Sequence, residues 1–245
     1  MNDASRRLFL SGSTILGADL LLGACKSSSA GAPRGGKPDD NEKGEEAEVT
    51  ATEDLMREHG VLRRALVIFR ESSVRLRADA GAVPAAALQK AAMLFRSFGE
   101  DYHERKLEEA YIFPAVKKAG GPAAPYADIL LAQHNRGREL TDYLLAATQG
   151  PKIGANAPAL AKVLEDFARM YESHTAIEDT VIFPAWKKTM SPKELDEMGD
   201  RFEDIERATF GKDGFDDAVD KIAAIEAALG LSDLAQFTAP APPKT

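Results

Sequence analysis

Residues 103–118 read HERKLEEAYIFPAVKK and residues 174–188 read HTAIEDTVIFPAWKK, so one pattern occurs twice in the chain. The shared segment begins at Ile112 in the first copy and at Ile182 in the second, and two lysines end both copies. Apolar residues around both copies recur near the 3.6-residue period of an α-helix. The repeat therefore predicts two helix pairs, in which the second and fourth helices are equivalent elements.

The helical period extends to both sides of the repeat from residue 50 onward, interrupted by glycine and proline. The first predicted helix has Thr52 as its candidate N-cap and ends near Asp79. Further helices are expected over residues 85–118, 127–148, 158–188, 192–210 and 215–229. No stretch of the sequence shows the two-residue alternation of a strand. The pattern predicts an all-α fold, an antiparallel up-and-down four-helix bundle with extra C-terminal helices.

The four histidines lie at matching distances from the predicted turns. They are His59, His103, His134 and His174. In an antiparallel hairpin, two residues share one level when they are equally distant from the turn between their helices. The midpoints of consecutive histidines fall at residue 81, between residues 118 and 119, and at residue 154, all in or against predicted turns. We therefore expect one histidine from each of four helices to reach a single metal centre.

Carboxylates accompany two of these histidines. Glu178 follows His174 by four residues, which places both side chains on one face of a helix. Superposition of the repeat matches Glu108 to Glu178, but five residues separate Glu108 from His103, a rotation of about 140° on a regular helix. Either a one-residue π-bulge corrects this rotation, or a nearby glutamate is the ligand; we favour Glu108. The substitutes are Glu100 and Glu104.

The order and spacing of these residues resemble the hemerythrin-like HHE cation-binding family over residues 52–190. Members of that family are four-helix bundles that hold a non-haem di-iron centre, two iron ions joined by bridging carboxylates. The resemblance implies terminal iron ligands at His59, His103, His134 and His174 and bridging carboxylates at Glu108 and Glu178. Imidazole nitrogen with carboxylate oxygen suits iron, manganese or zinc.

One position departs from the oxygen-carrying members of the family. Those proteins have a fifth histidine one turn after the third-helix histidine, where this chain has Arg138. A guanidinium stays protonated and cannot act as a ligand, so reversible O2 carriage by a five-histidine centre is not implied. Glu139 or Tyr102 could complete the set of ligands, or a solvent position could stay open and favour reaction with peroxide, nitric oxide or O2.

The first 25 residues resemble a bacterial export signal. Arg6 and Arg7 precede an apolar run too short to predict a membrane span, as in a twin-arginine signal. The run ends in a lipoprotein-type cleavage box whose Cys25 would carry the lipid. The predicted order is a signal over 1–25, a flexible linker over 26–50, the bundle over 51–190, and a helical extension with a Pro-rich tail over 191–245. We expect a cell-envelope or periplasmic protein that contacts the membrane only through this lipid anchor.

Composition excludes several classes of function. The 31 Lys and Arg against 39 Asp and Glu give a net charge of −8, which repels polyanions, so nucleic acid is not an expected partner. A single cysteine excludes a disulfide framework and a cysteine-based zinc site. Nothing in the sequence resembles a nucleophile triad or a phosphate-binding loop.

Three functional hypotheses follow. In the first, a lipid-anchored protein binds or senses O2 or a related small oxidant at a di-iron centre. In the second, such a centre belongs to an enzyme that decomposes peroxide or nitric oxide, and the sequence leaves this choice open. In the third, a metal-free bundle acts as an interaction scaffold, which requires the spacing of the histidines to be a coincidence.

Overall fold

The structure is a computed structural model that describes residues 49–243. The predicted export signal, Cys25 and almost all of the predicted linker lie outside the described residues. The described part of the chain is helical and contains no strand, which confirms the all-α prediction.

Six α-helices, α1 to α6, make up most of the described chain. The bounds are Ala51–Ala78 for α1, Ala124–Ala147 for α3, Pro192–Phe210 for α5 and Gly214–Leu229 for α6. Helix α2 runs through residues 85–119 as Ala85–Leu94, Phe95–Ile112 and Phe113–Ala119. Helix α4 runs through residues 157–187 as Ala157–Ile177, Glu178–Ile182 and Phe183–Lys187, and a 3₁₀ turn covers Leu234–Phe237. The middle piece of both α2 and α4 has wide turns of the π type.

The helix ends show where local chemistry differs from the predicted bounds. Thr50, rather than Thr52, caps α1, because its side chain accepts a hydrogen bond from the backbone N–H of Glu53. Helix α3 begins three residues before its predicted start, since Pro125 in a first turn loses no hydrogen bond. Helix α5 begins after Ser191 with a capping box, in which the side chain of Glu194 binds back to the Ser191 backbone.

The first four helices form the antiparallel bundle. Residues late in α1 contact residues early in α4: the Ser73 hydroxyl donates a hydrogen bond to the Ala161 carbonyl at 2.7 Å, whereas His59 lies 2.7 Å from Asp179. Helices α2 and α3 show the same reversed order of contacts. Contacts of α1 with α2 and of α3 with α4 close the bundle.

Aromatic packing fills the bundle next to the level of the histidines. The Phe95 ring packs edge-on against Phe167 and Tyr171, with 4.8 Å between ring centroids in each pair. The Tyr171 ring lies 5.3 Å from the ring of His174. This buried layer therefore supports one side of the histidine cluster.

The two C-terminal helices pack against the outside of the bundle. Trp186 of α4 stacks on Phe202 of α5 with 5.7 Å between ring centroids. Arg64 of α1 donates two hydrogen bonds to the carboxylate of Glu226 in α6, at 2.8 and 2.5 Å. Within residues 49–243, no helix combines the length and the apolar composition that a membrane span requires.

Candidate metal centre

Four helices bring the four histidines together in two pairs. His59 of α1 and His103 of α2 face each other with 3.0 Å between their Nε2 atoms. His134 of α3 and His174 of α4 form the second pair, also with 3.0 Å between the Nε2 atoms. All four side chains are buried. The structure thus places the four predicted ligands at one level, as their distances from the turns require.

The carboxylates of Glu108 and Glu178 lie between the two histidine pairs. The Oε1 and Oε2 atoms of Glu108 lie 3.3 Å from Nε2 of His103 and 3.4 Å from Nε2 of His134, respectively. Glu178 Oε2 lies 3.5 Å from Nε2 of His59, and its Oε1 lies 3.0 Å from Nε2 of His174. Each carboxylate therefore faces one nitrogen of each pair, which is the placement that a bridging ligand requires.

Wide helical turns produce this placement. The backbone N–H of Phe113 bonds to the carbonyl of Glu108, five residues earlier, and Phe183 bonds to Glu178 in the same way. In α2 the wide turns extend over Phe95–Ile112, beyond the one-residue bulge that the sequence suggests. Because i→i+5 bonding adds residues to each turn, Glu108 returns to the face of His103 despite the five-residue spacing.

The outward-facing nitrogen of each imidazole has an oxygen partner. Nδ1 of His103 lies 2.6 Å from Glu58, and Nδ1 of His59 lies 2.7 Å from Asp179. The remaining two contacts join His134 to Glu109 and His174 to the side-chain oxygen of Gln133, both at 2.9 Å. These oxygens accept the Nδ1–H, which leaves the inward Nε2 lone pair available to a metal.

Sequence reasoning missed these four partners, although a positional signal exists. Glu58 and Gln133 each precede a histidine directly, and Glu109 and Asp179 each follow a bridging-type glutamate directly. Helical periodicity alone assigns such neighbours to another face, so only the relation between the two halves of the repeat could have indicated them.

The carboxylates between the histidine pairs lack hydrogen-bond donors. Among the described residues, no group donates a hydrogen bond to any of the four carboxylate oxygens of Glu108 and Glu178, and all four are buried. Burial raises the pKa of Glu178 well above its ordinary value, and the charge of Glu108 raises it further. Burial also opposes ionisation of Glu108, but His103 and His134 hold its pKa well below the ordinary value. A cation between the carboxylates would supply the missing partner.

Each histidine pair contains one charged and one neutral imidazole. Burial disfavours the charged form of His134, but neighbouring carboxylates raise its pKa to about 10. His103 likewise has a pKa raised well above its ordinary value by Glu108 against the effect of burial. Burial lowers the pKa of His59 and of His174. Since each Nδ1 holds a proton, the additional proton of each pair lies between the two Nε2 atoms, where a metal cation could replace it.

Two aromatic rings close the centre on opposite sides. Phe183 stacks on the ring of His59 with 5.3 Å between centroids, and Phe113 stacks on His134 at the same distance. Both phenylalanines come directly before the prolines of the repeated segment. The repeat therefore supplies an apolar cover as well as a carboxylate, and this cover limits access of water to the donor atoms.

Comparison with known proteins agrees with this geometry. A family model, the hemerythrin HHE cation binding domain, matches residues 50–186. The chain belongs to this family. All six candidate ligands of this HHE domain lie inside the matched residues. Buried imidazole and carboxylate donors are a set suited to a first-row transition metal, so the residues present fit the cation that the family name implies.

Two mycobacterial proteins are similar to nearly the whole chain. "Uncharacterized protein Rv1995" of Mycobacterium tuberculosis (strain ATCC 25618 / H37Rv) is 46% identical over 236 residues, which cover 95% of this chain and 90% of that protein. "Uncharacterized protein Mb2018" of Mycobacterium bovis (strain ATCC BAA-935 / AF2122/97) matches to the same extent. No solved structure matches the chain at a significant level.

The other candidate ligands of the HHE domain have different partners. Glu104 is buried and accepts hydrogen bonds from Tyr171 at 2.7 Å and from Arg138 at 3.1 Å. Arg138 also contacts Glu109, so its guanidinium lies beside the outward nitrogen of His134.

The three remaining alternatives lie away from the inward nitrogens. The hydroxyl of Tyr102 donates to Glu58 at 2.9 Å rather than pointing between the histidine pairs. Glu100 accepts a hydrogen bond from Thr141, and the exposed Glu139 pairs with Arg136. Of the carboxylates considered for α2, only Glu108 lies between the two histidine pairs.

Proposed function

We propose that this HHE domain holds a non-haem di-iron centre and that the centre binds or senses O2 or a related small oxidant. The observation that carries the proposal is the set of four buried carboxylate oxygens without donors, placed between two histidine pairs. Buried carboxylate oxygens without hydrogen-bond donors are unfavourable, and metal cations between the histidine pairs would satisfy all four of them. Two pairs of inward nitrogens, rather than one, support two ions rather than one.

Each ion would have two imidazole ligands and share two carboxylates. His59 and His103 would hold one ion, and His134 and His174 would hold the other. Glu108 and Glu178 would bridge, because each has one oxygen near each histidine pair. The outward hydrogen bonds of the imidazoles fix the ring orientations before a metal binds.

The reactivity of the centre depends on positions that the protein leaves open. When bound, an iron pair supplies redox exchange with O2, peroxide or nitric oxide. Six side-chain ligands would not fill all the coordination positions of two ions, so a small molecule could bind to the metal. Phe113 and Phe183 cover two of the imidazoles with apolar rings.

Arg138 supports an enzymatic alternative, a di-iron enzyme that decomposes peroxide or nitric oxide. A fifth histidine ligand is replaced by a guanidinium that contacts Glu104 and Glu109 instead. The open position at the second ion would then admit a substrate rather than hold a ligand. The third hypothesis, a metal-free scaffold, gives no role to the four buried carboxylate oxygens that lack hydrogen-bond donors.

The metal content and the optical spectrum of the full chain test the proposal. We expect about two irons per chain, with near-ultraviolet charge-transfer bands, after aerobic purification. Glu178→Gln should remove most of the iron, whereas Glu197→Gln, an exposed change on α5, should leave it unchanged. A folded, helical protein without stoichiometric metal would contradict the proposal. The rate at which added peroxide disappears then separates an enzyme from a carrier or sensor.

We also propose that the chain is exported and lipid-anchored through Cys25. The proposal rests on the twin-arginine pattern and on the cleavage-box resemblance of residues 22–25. Mass spectrometry of the membrane fraction should show a lipid-modified N-terminal cysteine, and Cys25→Ala should release the protein from that fraction. An unmodified N-terminus in the native chain would contradict the anchor.

A further inference from the structure

An approximate two-fold relation connects the two halves of the metal centre. Glu58 precedes His59 and binds His103 of the same pair. Gln133 precedes His134 and in the same way binds His174.

The carboxylates that hold the first histidine of each pair follow the same relation. Asp179 follows Glu178 and binds His59. Glu109 follows Glu108 and binds His134. The two halves therefore have matching outer partners, except that a carboxylate at position 58 corresponds to an amide at position 133.

The difference changes how strongly the two pairs can donate to a metal. An imidazole whose N–H donates to a carboxylate is a more basic ligand than one whose N–H donates to a neutral amide. Both imidazoles of the His59–His103 pair have carboxylate partners, whereas His174 has only the amide of Gln133.

Burial and neighbouring charges act in the same direction. Glu58 is 1% exposed and also accepts a hydrogen bond from Tyr102, whereas Gln133 is half-buried. Arg138, with a side chain 10% exposed, neutralises Glu109 more effectively than the 43%-exposed Arg63 neutralises Asp179.

Another carboxylate near the second pair is that of Glu104, with an oxygen 3.9 Å from Nδ1 of His134. Its negative charge makes the imidazole of His134 a more basic ligand. However, its oxygens are engaged by Arg138 and by Tyr171, which reduces this effect.

We propose that Glu58 and Gln133 make the two metal positions unequal, so that the ion at His59 and His103 is held more tightly than the ion at His134 and His174. The inference rests on the proposed two-ion centre and adds an order of assembly to it. The first position fills at low metal concentration, and occupancy of the second position follows the metal supply. The second position is then the one that loses its ion first.

Iron release into a chelator tests this order. The full chain is loaded anaerobically with Fe²⁺, and transfer to a ferrous chelator that absorbs visible light is followed over time. We expect two phases of equal amplitude in the native chain. Gln133→Glu should slow the fast phase by roughly 10- to 100-fold, and Glu58→Gln should accelerate the slow phase so that its rate approaches that of the fast phase. Gln149→Glu, the same change at an exposed position, should alter neither phase.

Further variants assign the phases and separate the two proposals. His174→Ala should keep one iron that leaves at the slow rate, because it removes a ligand of the weaker position. Helical circular dichroism confirms that each variant is folded, and Gln133→Glu keeps the test available if Glu58→Gln does not fold. Two irons that leave in one phase, with no response to Gln133→Glu, would overturn the inequality while leaving the di-iron proposal intact. Fewer than two irons in the loaded native chain would overturn the di-iron proposal itself.

Discussion

The helix pair α1–α2 and the helix pair α3–α4 each contribute two histidines and one carboxylate to the candidate metal centre. The helix between histidine and carboxylate is wound differently in the two pairs. In α4, four residues separate His174 from Glu178, close to one turn of a regular helix. In α2, five residues separate His103 from Glu108, and the wide turns over Phe95–Ile112 return both side chains to one face. The comparison shows that the position of a ligand depends on residue count and winding together, since an extra residue is absorbed where the turns widen.

Deletion of a single residue between the histidine and the glutamate should have opposite consequences in α2 and α4: iron binding should survive in α2 and be lost in α4. Deletion of Arg105, an exposed residue of α2, gives His103 and Glu108 the four-residue spacing of α4, so we expect iron binding to survive. Deletion of Ala176 shortens the spacing between His174 and Glu178 from four residues to three and rotates the carboxylate away. Iron affinity should then fall by more than about 100-fold. Iron content after dialysis against buffered Fe²⁺ measures both effects.

Circular dichroism shows whether each deleted chain remains folded. Loss of iron from a folded Arg105-deleted chain would mean that the wide turns are required for the centre, beyond accommodating one residue. Retained iron in the Ala176-deleted chain would remove Glu178 from the ligand set.

Different physical rules account for what the sequence could and could not predict. The meeting of His59 with His103 follows from numbering alone, because short turns fix the level of every residue in an antiparallel bundle. Glu108 could be preferred over its neighbours because the repeat aligns it with Glu178. The partners of the outward nitrogens, such as Glu58, depend on helix rotation and side-chain reach, which periodicity does not specify. Periodicity also does not specify how far the wide turns of α2 extend, because this depends on packing against the neighbouring helices.

Iron binding should become tighter as pH rises, in both halves of the centre. In the absence of metal, His103 and His134 hold protons between the paired imidazoles, and the pKa of His134 is raised to about 10. Glu178 holds a third proton, because burial and Glu108 raise its pKa. Each ion must displace protons at neutral pH, so affinity should rise roughly tenfold per pH unit for every proton released. Isothermal titration with Fe²⁺ at several pH values, in buffers of different ionisation enthalpy, measures the number; affinity independent of pH would contradict the shared protons.

Arg138 and Arg63 occupy corresponding positions in the two halves of the centre but differ in burial. Both contact the carboxylate that holds a histidine, but the Arg138 side chain is 10% exposed and the Arg63 side chain is 43% exposed. Arg138→Gln removes one of the two buried counter-charges of Glu104, the other being His134, and should lower the free energy of unfolding by about 3 kcal/mol. Arg63→Gln removes a pair that water already screens, so a change of about 0 to 1 kcal/mol is expected. Urea unfolding of the metal-free variants tests the difference, and equal losses would contradict the role of burial.

Two glycines near the histidines provide the smallest test. A Cβ atom on Gly137 of α3 would lie 1.9 Å from the hydroxyl of Tyr171, so Gly137→Ala must displace that ring and weaken its 2.7 Å hydrogen bond to Glu104. A Cβ atom on Gly60 of α1 would meet nothing within 4 Å. We expect Gly137→Ala to lower the free energy of unfolding by about 1 to 2 kcal/mol, and Gly60→Ala to raise it by about 0.5 to 1 kcal/mol because alanine favours the helix. Urea unfolding without metal keeps metal binding from masking the change, and a stabilised Gly137→Ala variant would show that the Tyr171 ring moves freely.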